Sequence, residues 1–180
     1  MSSRPTAGQQ AMEHTHTRHE MGADAELQEE LRAVLDGNRY LVLGTVGPDG
    51  HPRVSPVYFT HDDYRSLYWI SSPDAQHTHN LHGRDEVEVV VFDSTATVGT
   101  AHAAYLRGTA VEVADDDLPG ECARAFAGLG KGARRFAPDE LDSAADLRLF
   151  RLDVAQWAVH VPGGSPRGLG IDTRFGLTMD

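Results

Sequence analysis

Ser71, Ser72 and Asp74 stand directly before a short segment, Ala75 to Leu81, that reads as a helix. Hydroxyls, strand-end amides and a helix N-terminus together suit a dianion, because free N–H groups and the helix dipole both favour negative charge. Arg53 would add a permanent charge and bidentate hydrogen bonds. The competing readings are a plain turn for the serines and an exposed strand residue for Arg53. His14, His16 and His19 crowd into the polar N-terminal stretch. Imidazole is a common metal ligand. No carboxylate or cysteine framework accompanies these three, so a polar tail without a fixed site explains them better. Cys122 has no CxxC or Cys/His partner nearby and reads as a small buried hydrophobe. Lys131, Arg134 and Arg135 make a basic, glycine-containing stretch that suits either an anion or a solvated loop. Gly163, Gly164, Gly168 and Gly170 lack the strand-to-helix setting of a dinucleotide fingerprint.

Composition limits what these groups can serve. The 180 residues fit one domain plus a tail. Twenty-seven acidic residues against 16 basic ones give a formal net charge of −11. That argues against nucleic-acid or anionic-membrane partners, which need a basic face. No apolar run approaches the ~20 residues that span a bilayer, and Met1 to Gln10 lacks the apolar centre of a secretory signal. One cysteine suits a reducing compartment, so a cytoplasmic location is expected.

The elements that must position the candidate groups can be read from periodicity. Residues 1–24 carry no apolar period and are expected to be a disordered tail before a domain over 25–180. Leu27, Leu31, Val34 and Leu35 make a helical stripe in Ala25–Leu35, with Asp24 as N-cap and Gly37-Asn38 as the stop. Strands are expected at Tyr40–Val46, Pro52–Thr60 and Ser66–Ser71. Gly47-Pro48-Asp49-Gly50 and His61-Asp62-Asp63 are the turns between them. Asp74 is expected to cap the helix Ala75–Leu81. Further strands fall at Glu86–Phe92, His102–Val113 and Leu147–Val161, with helices at Pro119–Leu129 and Pro138–Ala145. The last nineteen residues, rich in Gly and Pro, are expected to wrap a surface. Three closely spaced strands form a meander, and six with mainly short connections predict a mainly β, six-stranded antiparallel Greek-key barrel.

Within this frame the segments Leu43-Gly44-Thr45-Val46, Pro48-Asp49-Gly50 and Pro52-Arg53-Val54-Ser55-Pro56-Val57 resemble the opening hairpin of the pyridoxamine 5′-phosphate oxidase-like split-barrel family. Leu67 to Asp74 is similar to its third strand, and Gln76-His77-Thr78-His79-Asn80-Leu81 to the short helix that follows. Val91 to Thr95 and Ala104 to Ala110 resemble an actinobacterial-type branch. The likeness covers roughly residues 25–161. It implies a homodimeric split barrel with two flavin sites in the grooves between subunits. By position, Arg53, Val54, Ser55 and Pro56 would lie along the ring or ribityl chain of FMN, and Ser71, Ser72, His77 and Asn80 near its phosphate. Trp157 matches a position where the family often has an aromatic near the cofactor; a core or dimer-interface tryptophan is the other reading. His77 stands where relatives often carry Lys or Arg, and Ala75 where a Ser often precedes it.

The function the resemblance implies is an FMN-dependent oxidoreductase acting on a small molecule, without a dedicated acid–base triad. A deazaflavin-dependent reductase on the same fold is one alternative. A non-catalytic flavin- or haem-binding protein is another. The substrate-binding Arg/His set of the oxidase proper is not recognisable near the C-terminus.

Overall fold

The computed structural model describes residues 25–130, 133–167 and 170–179. Helix α1 spans residues 25–37, and its predicted stripe of Leu27, Leu31 and Leu35 is buried at 4%, 0% and 1% exposure. Strands β1 (Tyr40–Val46), β2 (Pro52–Asp62) and β3 (Ser66–Ser71) form the expected meander. Helix α2 (Gln76–Gly83) then carries the chain across to β4 (Glu86–Phe92), which pairs with the far edge of β1. β5 (Ala103–Glu112) follows, then α3 (Leu118–Ala125) and β6 (Arg148–Val161).

The sheet order is β3-β2-β1-β4-β5-β6, and β3 also pairs with β6 from Ser66↔Asp153 to Ser71↔Arg148. That closure makes the predicted six-stranded antiparallel barrel and pairs β3 on both sides, so it is no longer a free edge. Alternation decides the interior. Leu41 and Leu43 of β1, Val89 and Val91 of β4, and Trp69 stacked on Phe150 at 5.6 Å all point inward. A second apolar cluster lies outside the barrel, where Tyr68 and Leu149 meet Leu118, Cys122, Ala125 and Phe126 under α3.

Several expectations are corrected. The C-terminal segment does not merely wrap: Thr173–Leu177 forms a seventh strand, β7, on the outer half of β6, with Trp157↔Leu177 and Val161↔Thr173 at its ends. β6 thus offers one edge to β3 and then to β7. β2 runs two residues past Thr60, because the β2–β3 turn is made with positive φ at Asp63 and Tyr64. Asp74 does not cap α2; the N-cap is Ala75, which makes no side-chain cap bond. α3 ends at Ala125, and Pro138–Ala145 holds only a single 3₁₀ turn, Pro138–Glu140. The expected 1–24 tail with His14, His16, His19 and Asp24, and also Lys131 and Gly168, lie outside the described residues.

Candidate functional site

β3 ends at Ser71, and the turn after it is tied by its own polar groups. The Ser72 hydroxyl accepts the Asp74 N–H at 3.2 Å, and its carbonyl accepts both the Ala75 N–H and the Thr78 hydroxyl. Ser72 therefore shapes the start of α2. One turn on, His77 Nε2 lies 2.9 Å from Ser71 Oγ. On the same helix, Asn80 is buried and donates to Thr45 Oγ1 at 2.9 Å, while its Oδ1 accepts from Gln76 at 3.0 Å. Both ends of the Asn80 amide are used: its N–H fixes α2 to β1, and its oxygen closes an i,i+4 bond within α2. Thr45 is a partner that the sequence did not single out.

β2 sends its four candidate residues to two faces. Arg53 faces Thr45 in register and Ser55 faces Leu43. These two therefore share the side on which Thr45 holds Asn80. Arg53 is half exposed, and its partner Asp49 lies 3.5 Å away, a weak surface pair. Val54 and Pro56 point the other way, out of the barrel, with Val54 73% exposed. Tyr58 continues that outward row and meets Tyr40 edge-on at 5.8 Å, and Phe92 is also exposed. Apolar residues at three successive outward positions of β2 (54, 56 and 58), alternating with buried Val57 and Phe59, were the available signal for this strip.

Trp157 is set apart from this group. Ser71 pairs with Arg148, nine positions away along β6, or about 30 Å at strand rise. Its indole N–H donates to the Tyr64 carbonyl at 2.9 Å. Tyr64 has φ +58°, unusual for a bulky residue, and is held there by further contacts. Its hydroxyl donates to Asp36 at 3.0 Å, and its ring stacks on His61. Trp157 also lines a cavity of about 580 Å³ on the outer face of β5, β6 and β7, with Arg107, Arg174 and Glu88. Arg174 bonds Glu88 at 2.7 Å and covers the Tyr105 ring at 3.5 Å.

The strongest electrostatic feature lies elsewhere. The Glu121 side chain is only 4% exposed, and it receives Tyr68 Oη at 2.7 Å, Arg151 Nη1 at 2.6 Å and Arg124 Nη2 at 2.5 Å. Burial alone would raise its carboxyl, but the bonds from Arg124 and Tyr68 and the Arg151 charge hold it below the usual range. Burial and the bond to Glu121 push the Tyr68 hydroxyl up to about 12. This cluster joins α3 to β3 and β6. Burial beside Glu121 raises the Cys122 thiol, which suits an inert packing residue. Among the described residues no group of three or more His, Cys, Asp or Glu could hold a metal ion. No described helix is long and apolar enough to cross a membrane.

Burial lowers the His77 imidazole below its ordinary value, so at neutral pH it offers Ser71 a hydrogen bond rather than a charge. The unfolded chain takes up this proton near pH 6.5, the folded chain only at lower pH. Stability from this group is therefore full above that value and is lost as pH falls below it. His77→Gln is expected to flatten the fall in Tm between about pH 7 and 5. Thermal melts across that range that fall as steeply as wild type would detach His77 from the effect.

Residues 27–160 match the sequence profile described as pyridoxamine 5′-phosphate oxidase. No curated protein matches the chain in sequence. Among solved structures, the chain is similar to a candidate 5-nitroimidazole antibiotic resistance protein from Bacteroides thetaiotaomicron. Identity there is 14%, over 73% of this chain and 81% of that one, at a TM-score of 0.60. It is also similar to a heme binding protein from Mycobacterium smegmatis, at 17% identity over 82% of this chain, 57% of that one and a TM-score of 0.60. A FAD-binding protein from Mesorhizobium loti has 22% identity over 72% of this chain and 91% of that one, at a TM-score of 0.55. At these identities the likeness shows the fold.

Proposed function

Because the chain belongs to the pyridoxamine 5′-phosphate oxidase family, we propose that it is a cytoplasmic flavin-dependent oxidoreductase that holds FMN at the seam of a homodimer and acts on a small molecule, with neither nucleic acid nor membrane as partner. The observation that carries this reading is the two-faced β2. Arg53 shares a face with the Thr45–Asn80 tie that fixes α2, while Val54 and Pro56 offer an exposed apolar strip on the strand's other face. An anionic tail and a flat apolar ring need a charged donor and an apolar strip within one ligand's length, and residues 53–56 carry both.

The donor set fits such a group. Arg53 is only loosely held by Asp49 and can turn its fork to a phosphate. The N–H groups opening α2 have no side-chain cap competing for them. Ser71 and His77 bring neutral donors to the same end, and Ser72 and Asn80 support the backbone there. When bound, FMN supplies the redox chemistry. The protein's part is to hold the phosphate through Arg53 and the α2 terminus, and to keep water from one ring face with Val54 and Pro56. Trp157 lies too far along β6 to reach this chain's own Ser71. A partner's copy could approach it, and the exposed row of Tyr40, Val54, Tyr58 and Phe92 is the surface that a second copy would cover.

Arg53→Ala is expected to weaken FMN binding by ~1.5–3 kcal/mol, the range for a charged hydrogen bond. Fluorescence titration of the apoprotein measures it, and unchanged affinity removes Arg53 from the site. The absorption spectrum of purified protein separates the main rivals. Flavin bands support the proposal, whereas a Soret band would favour a haem binder, a reading the fold likeness to the mycobacterial heme binding protein makes concrete. A colourless dimer that titrates with a deazaflavin would favour a deazaflavin-dependent reductase.

A further inference from the structure

A separate cavity of about 280 Å³ lies between the outer face of β3 and the segment that follows α3. The barrel contributes Tyr68, Ile70 and Leu149 to its wall, and the segment contributes Phe126, Leu129 and Phe136. Among the described residues of the lining, Arg134 alone is charged. Its guanidinium lies 4.0 Å over the Phe136 ring and bonds Glu140 Oε1 at 2.9 Å. Glu140 is itself pinned, since its Oε2 accepts the Ala137 N–H at 2.8 Å. Arg134 is therefore a steered cation at the rim, and its fork carries more donors than that one bond uses.

We propose that this cavity binds a small aromatic carboxylate, its rings among the aromatic and aliphatic side chains and its carboxylate on Arg134. Size supports the class. An apolar cavity of ~150 Å³ takes a single benzene ring, so 280 Å³ has room for one or two fused rings. Charge supports it as well. A neutral apolar ligand would leave the remaining Arg134 donors unused, whereas a carboxylate meets the planar fork in its preferred geometry. Tyr58 and Thr60, also in the wall, extend it onto the outward row of β2. The site does not require the flavin proposal to hold.

The test is calorimetry of the full chain with 2-naphthoate and, as its neutral counterpart, 2-naphthalenemethanol. Wild type is expected to bind one naphthoate per chain, about tenfold or more tighter than the alcohol. Arg134→Gln is expected to erase that preference while still binding the alcohol. Leu129→Trp, which fills the cavity, is expected to lose both ligands. Circular dichroism shows whether each variant is folded, so a loss cannot be blamed on unfolding. Absence of naphthoate binding to wild type overturns the proposal. So does equal binding of acid and alcohol by wild type, or naphthoate affinity that Arg134→Gln and Leu129→Trp leave unchanged.

Discussion

Replacing Gly108 with alanine is expected to lower the unfolding free energy by about 3 kcal/mol or more. Gly108 sits at the register shift between β5 and β6, where the partner of Arg107 is Gln156 and that of Gly108 is Val154. A Cβ there would collide with the carbonyl oxygen of Asp153, and would lie 2.9 Å from its carbon and 3.0 Å from Val154 Cα. All three are backbone atoms, so no side-chain rotation relieves the clash. One of two strands must move, and both are committed: β6 holds β5 on one edge and β3 on the other. A shift there loosens the seam that closes the barrel. Urea unfolding of Gly108→Ala measures the cost. A neighbouring control, Thr109→Ala on an exposed position, should change stability by only about 0.5 kcal/mol. A Gly108 variant as mild as that control would mean that the bulge is plastic.

Glu121→Gln is expected to cost about 3–5 kcal/mol, the range for breaking one side of a buried ion pair. Its carboxylate is the common acceptor for Tyr68, Arg124 and Arg151. Glutamine keeps the shape but offers one acceptor oxygen and an NH₂ that faces cations. Arg151 retains Asp153, so the loss should fall mainly on the contact of α3 with β3. The pH dependence has a definite sign. The folded carboxyl titrates below its ordinary 4.5, so its stabilisation is present above that value and is lost as pH drops through the lower, folded one. The variant should therefore be less stable at pH 7 and lose less than wild type on acidification. Parallel denaturation curves at both pH values are the measurement. Equal wild-type and variant stability at pH 7 would show that the cluster is worth nothing net.

The barrel was legible because its strands are short, β-branched and punctuated by Gly and Pro turns, and because Leu27, Leu31 and Leu35 announce one helix face. The end of β2 was harder to place. Positive φ at Asp63 and Tyr64 has no glycine to flag it; Tyr64 is held by its neighbour His61 and by Asp36 and Trp157 from two distant segments. β7 was missed for a similar reason. Thr173–Leu177 gains its conformation from the exposed edge of β6, a tertiary effect that overrides weak local preference. Of the candidate groups, the Ser71–His77 contact was readable as neighbours around a helix start. Long-range partners such as Thr45 for Asn80 were not, because a register, not a motif, brings them together.

One end of the barrel is stitched by residues far apart in the chain. Gln28 on α1 donates to the Thr178 carbonyl at 2.7 Å, and Arg65 donates to the Met179 carbonyl at 3.2 Å. Met179 itself packs into the core beside Leu27 and Leu31. A ribosome adds residues one after another, and domains generally fold as units during synthesis. Here the plug comes after every strand of the barrel it closes. A nascent chain halted before residue 179 must keep its first helix waiting, with an apolar gap that a chaperone could recognise.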